Sequence, residues 1–87
     1  MKVGDVVIYH DETGVPHNAL LTATWAGNEN ATSNLVYVSG NESETDPYGR
    51  QLKRESSVSH ASNNQAHGRY WRRADEKPNE YKPPVSV

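Results

Sequence analysis

Cysteine and phenylalanine are absent from the 87 residues, methionine occurs once, and leucine, isoleucine and valine together number only fourteen. Without cysteine there can be no disulfide, no thiolate zinc site and no cysteine nucleophile. The scarcity of large aliphatics in a 9.7 kDa chain excludes a second domain with its own core. It also raises disorder as an alternative, against which the seven aromatics and a formal net charge of only -2 argue. A domain this short buries only about 60% of the surface its unfolded chain exposes, and comparable proteins add disulfides, a metal or a partner subunit. Self-association is the route left open, so the sequence predicts a homo-oligomer. No stretch approaches the ~18 consecutive apolar residues of a membrane span, and the opening Met1 to Asp5 lacks an apolar export core. The expectation is a cytoplasmic protein that does not enter a membrane.

A sustained helical stripe at i, i+3, i+4 and i+7 is also missing; apolar residues come instead in short runs separated by Gly, Pro, Asn and Asp. The pattern predicts an all-β fold of about five short antiparallel strands. Asp5 to His10 is the first, with Val7 and Tyr9 on one face and Val6 and Ile8 on the other. Asp11 to Pro16 turns the chain, Gly14 supplying a positive φ. Asn18 to Trp25 alternates Ala19, Leu21, Ala23 and Trp25 against Leu20, Thr22 and Thr24, and Trp25 is expected to close the core. Asn34 to Ser39 is the third strand. Gln51 to Ser59 is an edge or irregular strand with Leu52, Arg54, Ser56 and Val58 on one parity, and Gly68 to Arg73 is the last. Closure leaves the fewest exposed edges, so a small SH3-like barrel spanning residues 1–74 is the leading architecture. The three prolines that follow cannot donate to a ladder, which makes residues 75–87 a Pro-rich tail.

Charge is segregated. Residues 29–48 carry Glu29, Glu42, Glu44 and Asp46 with no base, whereas 50–73 carry six cations against Glu55 alone. Such asymmetry suits an anionic ligand, a contact between acidic and basic surfaces of two subunits, or a solvated face. The densest constellation is His67 to Arg73, preceded by Asn63, Asn64 and Gln65. On a strand, Tyr70 and Arg72 share one face and Arg69, Trp71 and Arg73 the other. With Trp71 in the core, Tyr70 and Arg72 are expected to project outward, where an aromatic ring stacks a base and a guanidinium forks onto phosphate. The plain alternative is that the aromatics complete the core and the arginines pair with Glu42, Glu44 or Asp46. A second constellation, Asp46-Pro47-Tyr48-Gly49-Arg50, is a turn signature that places Tyr48 and Arg50 at the mouth of the barrel if it serves a ligand. The ligand-binding set read from the sequence is therefore Tyr48, Arg50, Asn63, Asn64, Arg69, Tyr70 and Arg72.

The histidines, His10 with His17 and His60 with His67, match no strong zinc spacing, and no metal or cofactor is expected. Ser56, Ser57 and Ser59 lack a nucleophile elbow, and the carboxylates of the acidic stretch sit in polar loops where nothing raises one pKa above the other. The sequence reads as a non-enzyme.

Three blocks taken together, Val3-Gly4-Asp5-Val6-Val7-Ile8-Tyr9, Asn34-Leu35-Val36-Tyr37-Val38-Ser39 and His67-Gly68-Arg69-Tyr70-Trp71, resemble small bacteriophage proteins of the SH3-like barrel type. Some phage proteins of this size are sponges of the anti-CBASS or anti-Thoeris kind, which bind a nucleotide immune signal without cleaving it. The resemblance implies an oligomer in the host cytoplasm that sequesters a small anionic nucleotide, cyclic nucleotide or cyclic ADP-ribose in type. Nucleic-acid binding through the basic stretch and a phage structural or protein-interaction role are the alternative readings.

Overall fold

The computed structural model describes residues 2–25, 30–63 and 69–79. It is all-β: five antiparallel strands curl into a half-barrel compatible with a small SH3-like barrel. In chain order the strands are β1 (Val6–His10), β2 (Pro16–Thr24), β3 (Ser33–Val38), the short pair β4 (Thr45–Asp46) and β5 (Gly49–Arg50), β6 (Leu52–Val58) and β7 (Tyr70–Arg72), with a 3-10 turn at Ala61–Asn63. The large sheet runs β6-β3-β2-β1-β7, and β4 pairs only with β5. The expected strands are present within a residue or two of their predicted ends, and the Asp46 to Arg50 turn is the tip of the additional β4–β5 hairpin. Among the described residues no helix is long and apolar enough to cross a membrane.

The alternation read from β1 holds: Val7 and Tyr9 are buried on the concave face, joined by Ala19, Leu21, Leu35, Tyr37, Val58 and Trp71. Trp71 is the largest of these and is 0% exposed, its indole N–H donating to the Ala31 carbonyl at 3.2 Å. Trp25, expected in that role, is 47% exposed. The reason is a bulge in β2. Leu21 pairs with Leu35, but Ala23 pairs with Asn34 and Thr24 with the buried Ser33, so one extra residue reverses the alternation and turns Trp25 outward. A second register shift corrects the parity expected for β6. Leu35 pairs with Glu55, yet Ser33 pairs with Val58, and the surplus residue is absorbed at Ser57, whose φ is 55° and whose N–H donates to Asn34 Oδ1 at 2.9 Å. Val58 therefore joins the core while Leu52, six residues earlier, lies on the outer face.

The half-barrel is fastened where its edge strands approach each other. Arg69 Nη1 meets Glu55 Oε2 at 2.6 Å, Trp71 N–H donates to the Ser59 carbonyl at 3.0 Å, and His60 forms an isolated parallel bridge with Trp71. The first residues past Ala74 continue this fastening: Glu76 accepts from His60 and from the Arg73 amide, and Asn79 N–H donates to the Tyr70 hydroxyl. Of the segments named from the sequence, Asn64, Gln65, His67, Gly68 and the last eight residues lie outside the described residues.

A candidate ligand pocket at the open end of the half-barrel

The pocket begins with the turn between β1 and β2. One carboxylate oxygen of Asp11 accepts from the Thr13 amide, the Thr13 hydroxyl and the Val15 amide at 2.9, 2.7 and 3.0 Å, while Gly14 supplies a φ of 88°. The other oxygen faces His17 Nε2 at 2.8 Å. Burial pulls the Asp11 carboxyl upward, but the hydrogen bonds from His17, Thr13 and Val15 outweigh it and hold the pKa at about 2. Asp11 thus fixes the turn with one oxygen and the His17 imidazole with the other.

Sheet register then gathers the rings. His17 lies opposite Tyr9 on β1, and Tyr37 on β3 lies between Ala19 of β2 and Lys53 of β6. The His17 and Tyr37 centroids are 4.6 Å apart at 42°, and those of Tyr9 and Tyr37 are 5.0 Å apart at 41°. Burial raises the pKa of both tyrosines, with Glu55 adding to it, so both phenols stay protonated across the physiological range. The third wall is the loop after β3. Ser39 hydroxyl donates to Glu44 Oε1 at 2.5 Å and accepts from the Asn41 amide at 3.1 Å, and the loop is tied to the next strands by Ser39 N–H to Gln51 O and Gln51 N–H to Glu44 O, both 2.9 Å. Glu44 also meets Lys53 Nζ at 3.1 Å. Its carboxyl is held below the usual range by the Ser39 hydroxyl first and Lys53 second, and Lys53 is raised in turn by Glu44. A Cβ at Gly40 would lie 3.4 Å from His17 Cε1, an ordinary van der Waals contact, so the loop backbone runs alongside the imidazole there.

Together Asp11, Val15, His17, Tyr37, Ser39, Gly40, Asn41, Glu44 and Lys53 enclose an open concavity of about 410 Å³, within the size range of small-molecule sites. Its floor is aromatic and its walls are polar. No group of three or more His, Asp or Glu able to hold a metal occurs among the described residues.

The residues singled out from the sequence fall into three places. Tyr48 and Arg50 stand beside the pocket: Tyr48 is 99% exposed at the tip of the β4–β5 hairpin, and Arg50 Nη1 donates to the carbonyl of Ser39, a pocket residue, at 2.9 Å. Arg69, Tyr70 and Arg72 are elsewhere, on and beside β7. Trp71 is core, and Tyr70 and Arg72 do share the opposite face as expected, but Tyr70 does not project into solvent. Its ring stacks on His10 at 4.5 Å and 7°, and its hydroxyl is covered by Asn79. Arg72 Nε–H donates to His10 Nε2 at 3.0 Å, and its Nη1 donates to the Glu76 carbonyl at 2.7 Å. That pairing puts the His10 proton on Nδ1, toward the Gly14 carbonyl at 3.4 Å. Arg69 pairs with Glu55, and Arg73 with Glu76 and Asn30 while lying 5.6 Å from the Trp71 ring. The partners expected for these arginines, Glu42, Glu44 and Asp46, are thus not the ones used; Glu44 goes to Lys53. The backbone of Asn63 belongs to the 3-10 turn, and Asn64 lies outside the described residues. His17, Tyr37, Ser39, Glu44 and Lys53 were not singled out as ligand residues by the sequence pattern; the signal that finds them is the strand register, which sets His17 against Tyr9 and Tyr37 against Lys53. Compared with known proteins, the chain matches no family model, no curated protein and no solved structure.

Proposed function

We propose that the protein is a non-catalytic binder that captures a nucleotide-type ligand in the concavity of Tyr37, His17 and Lys53 and leaves it unchanged. The observation that carries this reading is the composition of the pocket: two rings on the floor, carboxylates on the walls, and Lys53 and Arg50 at the mouth. Rings offer stacking surface for a base. Ionised Asp11 and Glu44 accept hydrogen bonds from an exocyclic amine or ribose hydroxyls, while repelling a phosphate from the interior. A phosphate is directed to the rim, where Arg50 and Lys53 supply cations and the exposed Tyr48 ring supplies a further stacking surface. Capture rather than conversion is favoured because the ionisable groups are committed to one another: Asp11 to His17 and the turn, Glu44 to Ser39 and Lys53. The phage resemblance places cyclic dinucleotides, cyclic trinucleotides and cyclic ADP-ribose isomers first among the ligands, an anti-defence role in the host cytoplasm as the setting, and a self-associated state as the working form. Nucleic-acid binding draws less support, since Arg69, Arg72 and Arg73 of the basic stretch have intramolecular partners.

Titration calorimetry against that panel, with mononucleotides and single-stranded DNA included, tests the reading. Binding of at least one nucleotide, weakened about tenfold or more by Tyr37→Ala and by Lys53→Ala, with the ligand recovered at unchanged mass, is the expected result. Silence across the panel, or recovery of a chemically altered product, contradicts it.

A further inference from the structure

Away from the concavity, one cluster joins a hydroxyl, an imidazole and a carboxylate in series. His60 follows β6 and is fixed by the backbone: it forms the parallel bridge with Trp71, whose N–H donates to the carbonyl of the preceding Ser59. Its ring packs edge-on against the Trp71 indole, centroids 4.6 Å apart at 69°, and the residue is 2% exposed. The two ring nitrogens meet different partners. Nδ1 lies 2.9 Å from the Ser62 hydroxyl, and Nε2 lies 2.9 Å from Glu76 Oε1. Ser62 itself is exposed, on the 3-10 turn whose Ala61 carbonyl accepts from Asn79 Nδ2 at 3.0 Å.

Hydrogen-bond accounting fixes the tautomer. The Ser62 amide donates to Nδ1 at 3.1 Å, so Nδ1 carries no proton in the neutral ring and Nε2–H donates to Glu76. The Nδ1 lone pair therefore receives the Ser62 O–H as well; the amide shares it and caps the turn, but the hydroxyl is the closer of the two. Glu76 is anchored in turn, Oε1 accepting from the Arg73 amide at 2.6 Å and Oε2 lying 3.4 Å from the Arg73 guanidinium. Burial pulls the Glu76 carboxyl upward, but the Arg73 amide and His60 outweigh it and hold the group below the usual range, so it is ionised beside the imidazole. An exposed hydroxyl, a buried base and a fixed carboxylate are the parts that make a serine nucleophilic: the base takes the proton, and the carboxylate sets the tautomer and stabilises the imidazolium. Here the ring is turned so that Nδ1 rather than Nε2 faces the hydroxyl.

We propose that Ser62 is an activated nucleophile, a covalent modification site that takes one acyl group from an activated ester, with His60 as its general base and Glu76 as a positioning residue. Ser62 Oγ attacks the ester carbonyl and its proton passes to His60 Nδ1. As the C–O bond of the ester breaks, the leaving alkoxide takes that proton and the acyl group stays on Oγ. The cluster shares no residue with the concavity, so it is independent of what is captured there.

Labelling of the full chain with a fluorophosphonate, in which phosphorus stands in for the carbonyl carbon and fluoride leaves, followed by peptide mass mapping, is the test. Ser56, exposed on β6, is the internal control. Ser62 should label about 100-fold faster than Ser56, as a positioned general base provides. Its rate should rise with pH and level off once the His60 imidazole, followed by its NMR signals in the same samples, is neutral. Ser62→Ala, which keeps the amide bond to Nδ1, should abolish the fast adduct while the chain stays folded. Glu76→Gln, assayed at a temperature where its melt shows it folded, should slow Ser62 about tenfold or more and leave Ser56 unchanged. A Ser62 rate close to that of Ser56, a rate that climbs with hydroxide without levelling at the His60 titration, a fast adduct that persists in Ser62→Ala, or a folded Glu76→Gln that labels as fast as wild type overturns the proposal.

Discussion

Two histidine–tyrosine pairs share one sheet and meet opposite fates. His10 stacks on Tyr70 at the β7 edge, where Arg72 and the Gly14 carbonyl engage both ring nitrogens of His10 and Asn79 engages the Tyr70 hydroxyl. His17 packs on Tyr37 at the other side of the β1–β2 turn, and there the chain leaves a concavity. The difference lies in what is packed against each. The segment 75–79 returns to the β7 edge through Glu76 and Asn79, whereas the loop 39–44, which passes His17 at Gly40, is bonded to itself and to Arg50, Gln51 and Lys53 and leaves the concavity beside the ring. A dense cluster of arginines and aromatics is therefore no guide to a site when the cluster can satisfy itself, and an open site can be assembled from residues far apart in sequence.

The sharpest way to break this comparison is at the sealed side. Trp71→Ala removes the largest core side chain and the bond to Ala31, and should cost about 3–5 kcal/mol, a large part of the stability of so small a domain, read from the midpoint of a urea melt. Glu76→Gln should cost less, about 1–3 kcal/mol, because the carboxylate accepts from His60 and from the Arg73 amide, and the same melt reads it. Should Glu76→Gln prove neutral, the tail segment does not seal the edge.

The next prediction uses pH to tell the pairs apart. Burial first, and Arg72 in addition, lower the His10 pKa below its ordinary 6.5, so His10 is neutral in the fold and more readily protonated once unfolded. Its contribution to stability should be present above about pH 6.5 and decline as the pH falls from there toward the folded value. His10→Gln should flatten that part of the stability curve. Asp11, depressed to about 2, contributes stability that is present above its ordinary value of 3.8 and is lost as the pH falls through about 2, so Asp11→Asn should lower stability throughout the neutral range and flatten the acid limb. A slope between pH 5 and 7 that is unchanged in His10→Gln contradicts the assignment of the sealed pair. At the open side the stability effects shrink: Tyr48→Ala should stay within about 0.5 kcal/mol of wild type, as expected for a fully exposed side chain on a hairpin tip, and a larger loss would mean that the hairpin is packed rather than free to serve a ligand.

Most of the sheet was legible because alternation in β1, β2 and β3 is governed by burial on the concave face. Trp25 was misplaced because nothing in NALLTATW announces the bulge that reverses its side, and Val58 because Ser57 takes a left-handed conformation that serine seldom adopts. Both errors depend on register against β3, a tertiary property. Tyr48 and Arg50 were legible from turn chemistry alone, since Pro and Gly fix a hairpin tip wherever it falls. Tyr70 and Arg72 were read as available because the partners that occupy them, His10 some sixty residues earlier and the segment after Ala74, are not local. His17, Tyr37 and Lys53 become a group only when β1 to β2, β2 to β3 and β3 to β6 are aligned.

Backbone amide shifts during titration with the tightest nucleotide of the calorimetric panel test the central claim most directly. The account predicts perturbations concentrated at His17, Tyr37, the Ser39 to Asn41 loop and Lys53, with Tyr70 to Arg72 nearly still. Shifts confined to Tyr70, Trp71 and Arg72, or no shifts at a saturating ligand concentration, would contradict it.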